Sequence, residues 1–262
     1  MTGPAGVMAL VLAETTAGGA MFLFLTPLWG EVKRGFFYLT GSILLALALG
    51  TAGAAAAGYQ SGSSGADAVA LSLATAGATA LWLILMMARA RTVARVVGIL
   101  TVPLSVAMLF AFSRTADESV GLAFFQLLAG ALFTGAVLDG LLLGHWYLTD
   151  RKLPRGPIVR MAWALIAAVV LEAVAVIAGG FAAPAQAGSA ATSALSPILT
   201  LAGVASWIAI GMVAATGLIA IFIRLTLTGE RPAAVQSATG FFYLAVITAF
   251  TAEMAAKVRF LP

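Results

Sequence analysis

The sequence predicts an all-α fold: a polytopic transmembrane helical bundle of eight spans, with both termini on the outer (periplasmic or extracellular) side. Three observations predict it: the composition, the lengths of the apolar runs and the placement of the basic residues. Of 262 residues, 62% are hydrophobic and 9% charged, whereas soluble domains have about 45–50% apolar and about 25% charged residues. The composition therefore excludes an ordinary soluble domain and a disordered chain.

The eight spans follow from the lengths of the apolar runs. A hydrocarbon core of about 30 Å needs roughly 20 apolar residues per helix. Runs of this length, separated by charge, Gly/Ser or Pro, are 7–28, 36–57, 68–87, 93–112, 120–148, 158–177, 197–223 and 235–256. Ser196 and Pro197 suit the capping and first positions of span 7, and Pro103 is expected to kink span 4. Short connections predict one integral-membrane domain, 1–262.

The basic residues predict the orientation. Eleven of the fourteen lie in alternate connections: Lys33, Arg34, Arg89, Arg91, Arg95, Arg151, Lys152, Arg155, Arg160, Arg224 and Arg231. The other side has Arg114, Lys257 and Arg259. The positive-inside bias makes the first set cytoplasmic and places both termini outside. The net charge of +4 then reflects basic loops, not a nucleic-acid partner. We expect a multi-pass protein of the bacterial cytoplasmic membrane, surrounded by lipid.

Four carboxylates fall inside predicted spans: Glu14, Asp139, Glu172 and Glu253. An ionised side chain in the hydrocarbon region is costly unless it is paired, protonated or hydrated, so each is a candidate functional residue. Glu14 and Glu172 lie in the middle-to-outer part of their helices, and Glu253 lies near the outer end. These three converge on one outer-half pocket if spans 1, 6 and 8 are neighbours.

Lys257 follows Glu253 by four residues, which is a helical ion-pair spacing in the favourable order. An alternative interpretation is that both side chains are interfacial and solvated. Glu14 is followed by Thr15, Thr16 and the pair Gly18 and Gly19, which favours a functional role for it.

Span 5 is rich in glycine, and Gly140 with Gly144 forms a small-xxx-small step that permits close helix packing. Asp139 lies in its cytoplasmic half with no cation within one helical turn. His145, Trp146 and Tyr147 end the span. They suit either a quinone-headgroup or proton-uptake site, because histidine titrates near neutrality, or an aromatic anchor at headgroup depth.

Residues 35–39 and 240–244 share the sequence GFFYL. This identity suggests some internal duplication. The alternative is that aromatic residues collect independently at the membrane interface.

Several classes of active site are excluded by residue type. The chain has no cysteine and one histidine, which rules out thiolate-ligated metal centres and a bis-histidine haem carried by this chain alone. It has no phosphate-binding loop and no paired-histidine metal motif. We therefore expect no metal site, no covalently bound cofactor and no haem, and no catalytic residue of a soluble-enzyme type.

Three stretches resemble the eight-helix membrane anchor subunits of molybdopterin oxidoreductases, of the polysulfide/nitrite-reductase and DMSO-reductase types. They are ETTAGGAMF at 14–22 in the first span, FTGAVLDGLLLG at 133–144 in the fifth and AEMAAKVRF at 252–260 at the end of the last. The chain differs from the family after span 2, where a His-Leu-Gly-x-Pro-like turn is usual and residues 55–65 have neither His nor Pro.

The resemblance implies a membrane subunit of a respiratory redox complex. Such a subunit anchors an iron–sulfur or other electron-transfer partner and exchanges electrons and protons with quinone, either menaquinone or ubiquinone. Enzymatic activity is then expected only as the quinone-interacting subunit of that oxidoreductase complex. By the resemblance, Glu14 and Glu253 border the quinone pocket, with Lys257 or Arg259 as the nearby cation.

Two other functions remain open from the residues. A proton- or cation-coupled small-molecule transporter would use Glu14, Asp139 and Glu172 as a path across the membrane. A structural or accessory membrane protein would use its small residues only for packing. The candidate quinone- or proton-handling residues are Glu14, Glu253, Lys257, Glu172, Asp139 and His145.

Overall fold

The chain folds into long helices throughout the part that the computed structural model describes. That part comprises residues 3–58, 65–116, 118–150, 152–179, 201–229 and 233–258, with the backbone alone for 201–203. Its helices are α1 Gly3–Leu25, α2 Leu28–Glu31, α3 Arg34–Ala57, α4 Ala66–Met87, α5 Arg91–Ser113, α6 Val120–Thr149, α7 Gly156–Ala178, α8 Leu201–Thr226 and α9 Ala233–Lys257. Within these residues there is no strand, and all helices except α2 are long and apolar enough to cross a membrane.

The helices form two rings of four. In the first ring α1 packs on α3, α3 on α4, α4 on α5, and α5 returns to α1. In the second ring α6, α7, α8 and α9 repeat this order, and α9 returns to α6. The rings meet where α1 packs along α6 and contacts α9, so α1 is the most buried of the long helices.

The seam between the rings is a close crossing of α1 and α6. A Cβ atom at Gly18 would lie 1.7 Å from the carbonyl oxygen of Ala131, and one at Gly135 would lie 2.3 Å from the carbonyl carbon of Gly18. No side chain larger than hydrogen fits either position. Lipid supplies no hydrophobic drive for helix association, so close packing of small residues is what holds membrane helices together.

The first predicted span is too long at its C-terminal end. It was expected to run to residue 28, but α1 ends at Leu25 and a separate turn, α2, follows Pro27. Proline disfavours helical geometry in the residue before it and lacks the N–H that would continue the hydrogen-bond ladder. The indole of Trp29 in α2 then packs on Phe37 and near Trp82, with ring centroids 4.6 and 6.1 Å apart.

The other predicted spans agree with the helices within about four residues at each described end. The helices extend slightly further because charged and polar residues such as Arg34, Arg91 and Lys257 remain helical at the ends of their spans. Pro103 lies inside α5. The predicted start of span 7 at Ser196 and Pro197 lies outside the described residues, as do Arg151, Arg231 and Arg259.

Ion pairs between helix ends define two faces of the bundle. On the basic face, Lys33 Nζ lies 2.9 Å from Asp150 Oδ2, and Arg160 lies 2.5 Å from Glu31. The described cations that were predicted to be cytoplasmic belong to this face, because the spans alternate in direction. On the opposite, terminal face, where α1 begins and α9 ends, Arg114 lies 3.3 Å from Asp67. The assignment of the basic face to the cytoplasm stays a prediction.

The two GFFYL segments occupy different positions in the two rings. One begins α3, the second helix of the first ring, and the other lies on α9, the fourth helix of the second ring. Gly35 is covered by the ring of Trp146, whereas a Cβ atom at Gly240 would meet no atom within 4 Å. The two copies of this sequence therefore do not lie at equivalent positions in the two rings.

The Lys33–Asp150 pair predicts a pH-dependent contribution to stability. The hydrogen bond from Lys33 lowers the pKa of Asp150 below its ordinary value. A group with a lowered folded-state pKa stabilises the protein above the unfolded value, about 3.9, and loses that contribution as the pH falls through the folded value. We expect Asp150→Asn to lower the thermal midpoint in detergent at pH 7, and this difference to shrink as the pH falls below the unfolded value of about 3.9. A difference between the two proteins that grows on acidification would contradict this assignment.

Candidate functional site

The candidate site is built from the middle of α1 and the last turns of α9. Glu14 lies halfway along Gly3–Leu25, about 16 Å from either end at 1.5 Å per residue. Glu253 and Lys257 lie one turn apart on α9, so their side chains leave the same face of that helix. Because α1 packs against α9 at the seam, the three side chains meet inside the protein.

Lys257 forms ion pairs with both glutamates. Its Nζ lies 2.7 Å from Glu14 Oε1 and 3.1 Å from Glu253 Oε2. The two glutamates are 0% exposed and the lysine is 1% exposed. Glu253 and Lys257 are therefore not solvated interfacial residues, and that alternative is wrong. We refer to Glu14, Glu253 and Lys257 as the buried ion cluster.

Gly130 of α6 makes room for the Glu14 carboxylate. A Cβ atom at Gly130 would lie 2.6 Å from Glu14 Oε1 and 2.8 Å from its carboxyl carbon. The buried ion cluster thus depends on three helices: α1 and α9 supply the charges, and α6 supplies the space. Thr134, one turn further on, donates a hydrogen bond to the Gly130 carbonyl at 2.8 Å. The proton of its hydroxyl is therefore used within α6.

A third carboxylate acts on the cluster from α7. Glu172 is 2% exposed and interacts electrostatically with both Glu14 and Lys257. The structure thus places Glu172 within electrostatic range of the buried ion cluster, on a helix that packs against α6 and α8. Its convergence with the other two carboxylates in one pocket stays a prediction.

A buried glutamine lies on the terminal-face side of the cluster. Gln126 is 1% exposed and donates a hydrogen bond to Glu118 Oε2 at 3.4 Å. Glu118 precedes α6 at the terminal face and is half-buried. Gln126 lies one turn before Gly130 on the same side of α6, so it lies between Glu118 and the part of α6 that meets Glu14.

Asp139 is buried apart from this cluster. It is 0% exposed, and neither carboxylate oxygen has a hydrogen-bond partner among the described residues. It lies nine residues after Gly130 on α6, about 14 Å further toward the basic face.

His145 also lies apart, near the basic end of α6. Its side chain is exposed, and a ring nitrogen lies 3.1 Å from the hydroxyl of Tyr243 on α9. It is fifteen residues, or about 22 Å, from Gly130 along α6. Trp146 covers Gly35, and Tyr147 donates a hydrogen bond to the carbonyl of Pro154. These contacts attach the end of α6 to α3 and to the following connection.

The described residues contain no group of three His, Asp or Glu side chains arranged to hold a metal ion. Comparisons with protein-family models, curated proteins and solved structures find no significant match to this chain.

Sequence reasoning found the three carboxylates and the Glu253–Lys257 spacing, and the resemblance implied Lys257 or Arg259 as the cation near Glu14 and Glu253. It missed the space at Gly130 and the position of Gln126. The only signal for these two was their spacing of four residues on one helix, which becomes informative once that face is known to meet Glu14.

Proposed function

We propose that this protein is the integral membrane subunit of a respiratory redox complex and handles the protons of quinone chemistry while anchoring an electron-transfer partner. The observation that carries the proposal is the buried ion cluster, in which the middle of α1 meets the last turns of α9. The resemblance of residues 14–22, 133–144 and 252–260 to anchor subunits of molybdopterin oxidoreductases supports the same function, because two of those stretches contain the cluster.

The charges of the site suit it to hold and release a proton. If Glu14 and Glu253 were both ionised, the single positive charge of Lys257 would balance only one of the two negative charges of the buried ion cluster, in a low-dielectric region. Carboxylates that share such a site bind protons in place of the missing cations. Glu14 Oε2 and Glu253 Oε1 are buried without a hydrogen-bond partner among the described residues, so each is an acceptor at which a proton can be held.

These residues fit the proton chemistry of a quinone. A bound quinol would supply two electrons, which pass to the partner, and two protons, which buried carboxylate oxygens can accept. The cluster side chains are at most 1% exposed, so they act as a relay behind the quinone and not as an open pocket. Gln126 and Glu118 lie on the terminal-face side of the cluster, the direction in which the proton would leave.

A partner subunit must accept the electrons in this proposal, because each quinol oxidised to quinone releases two electrons together with its two protons. The chain has no cysteine and one histidine, so it lacks the residues that ligate the usual iron–sulfur clusters or a bis-histidine haem. An iron–sulfur subunit is the class of partner that the resemblance implies. The quinone is menaquinone or ubiquinone.

A proton- or cation-coupled transporter is the second candidate, favoured by Asp139, which places another buried carboxylate between the cluster and the basic face. Alternating access requires one part of a transporter to move against another. Here the two rings meet through backbone contact at Gly18 and Gly135, which favours a fixed scaffold with a proton relay over rocking rings.

Glu14→Gln is expected to lower quinone-linked electron transfer about 100-fold, because it removes the general acid–base group from the relay. The protein is purified from its native membrane in mild detergent with its partners, and quinol oxidation is followed by absorbance. Asp67→Asn, a surface carboxylate on the terminal face paired with Arg114, is the matched control and retains the rate.

Three results would contradict the proposal. One is purification of the chain without an iron-containing partner or quinone. Another is an unchanged rate in Glu14→Gln. The third is a proton-dependent solute flux in proteoliposomes that Asp139→Asn abolishes, which would establish the transporter instead.

A further inference from the structure

A cavity of about 550 Å³ opens on the basic face between α2, the start of α3, the end of α4 and the start of α5. Its wall contains four cationic side chains: Lys33, Arg34, Arg91 and Arg95. The cavity lies outside the buried ion cluster and belongs wholly to the first ring. No step of the proposed function uses it.

Among the described residues, three of these four cations have no counter-ion. Lys33 is paired with Asp150. Arg34, Arg91 and Arg95 have no acidic side chain within ion-pair distance among the described residues. Arg91 and Arg95 are one turn apart on α5, where like charges repel. The cavity therefore concentrates positive charge that an anion would neutralise.

Two helix N-termini add to this charge. Helix α3 begins at Arg34 and α5 at Arg91, and neither N-cap residue, Lys33 or Ala90, makes a side-chain capping bond. The free N–H groups of a first helical turn carry partial positive charge and bind phosphate and other anions.

The remaining wall is apolar and aromatic. Trp29, Phe37 and Met86 line it, and the Trp29 and Phe37 rings stack. Trp29 Nε1 is buried and has no hydrogen-bond partner in the described part of the chain. The cavity thus offers a charged region and an apolar surface side by side. Outside it, α4 and α5 expose Met87 and Val96 on the surface of the bundle.

We propose that this cavity binds the phosphate headgroup of an anionic phospholipid. Arginine pairs with phosphate oxygens through two parallel N–H donors, and the apolar wall accommodates the start of the acyl chains. Basic pockets between transmembrane helices on the cytoplasmic side are known sites for anionic lipid headgroups. Inorganic phosphate shares the headgroup chemistry but cannot use the apolar wall, so the amphipathic lining favours the lipid.

The test compares lipid binding by two variants that each lose two positive charges from the same face. Arg91→Gln/Arg95→Gln removes cations from the cavity, whereas Arg89→Gln/Lys152→Gln removes exposed cations that do not line it. The purified protein in neutral detergent is titrated with short-chain phosphatidylglycerol, with phosphatidylcholine of the same chain length and with inorganic phosphate. Tryptophan fluorescence reports binding, since Trp29 lines the cavity.

We expect the phosphatidylglycerol concentration at half-saturation to rise at least about tenfold in the cavity variant. Each cation removed should contribute roughly a factor of five. The control variant and the parent protein should bind alike, and phosphatidylcholine should bind more weakly than phosphatidylglycerol. An equal loss of affinity for phosphatidylglycerol in the two variants would show only diffuse electrostatic attraction to the basic face and would overturn the proposal. Inorganic phosphate acting at the same concentration as phosphatidylglycerol would identify a free-phosphate site and overturn the lipid assignment.

Discussion

Replacing Lys257 by methionine is expected to destabilise the folded protein by about 3–5 kcal/mol, the usual cost of removing one partner from a buried ion pair. Its Nζ is 2.7 Å from Glu14 and 3.1 Å from Glu253, and methionine preserves the volume but not the charge. The two glutamates must then bind protons, and protonating one glutamate of ordinary pKa about 4.3 costs about 4 kcal/mol at pH 7.

Unfolding of Lys257→Met in mixed micelles with increasing SDS measures this loss. Lys152→Met is the matched control, because Lys152 is exposed on the basic face and exposed charges contribute about 0–1 kcal/mol. The penalty should shrink as the pH is lowered toward about 4, where the protons come from solvent at little cost. A second substitution, Glu14→Gln, should recover part of it. A loss under about 1 kcal/mol at pH 7 would contradict the assigned ion pairs.

Gly135→Ala is expected to destabilise the bundle by about 1–3 kcal/mol or more, since an added methyl group in a filled contact forces the backbone to move. Its Cβ atom would lie 2.3 Å from the carbonyl carbon and 2.6 Å from the Cα of Gly18. These neighbours are backbone atoms of α1 and cannot rotate away, so the whole α1–α6 seam must open. The same SDS titration measures the effect.

Gly77→Ala on α4 is the matched control for this substitution. A Cβ atom at Gly77 would meet no atom within 4 Å, and alanine improves helix propensity by about 1 kcal/mol over glycine. The two substitutions should therefore change stability in opposite directions. Equal effects would show that α1 and α6 are not in close contact at Gly18 and Gly135.

The sequence predicts the eight spans well because hydropathy and helix length depend only on neighbouring residues. The boundary at Pro27 was missed, although the proline itself signals it, because the apolar run continues through Leu28. The Glu253–Lys257 pair could be predicted for the same local reason, since its spacing fits one helical turn.

The rest of the site depends on which helices are neighbours. Glu14 meets Lys257 only because α1 packs against α9, and Gly130 matters only because α6 crosses α1 beside Glu14. Hydropathy gives no information on such pairings, because in lipid they are decided by the shapes of small residues. The cavity beside Arg91 and Arg95 was missed for a related reason: the basic residues were counted for orientation, while their common wall forms only when α2 and α5 come together.

The Glu14–Lys257 pair also has a consequence for biosynthesis. The first long helix carries the acid and the last one carries the base, so the acid is made long before its partner. At about 5–20 residues per second, helix α1 waits for tens of seconds in the membrane with its central carboxylate unmatched. Only a chain translated and inserted through α9 can neutralise it. A truncated product that lacks α9 keeps Glu14 in its most central helix without the cation that pairs with it in the folded protein.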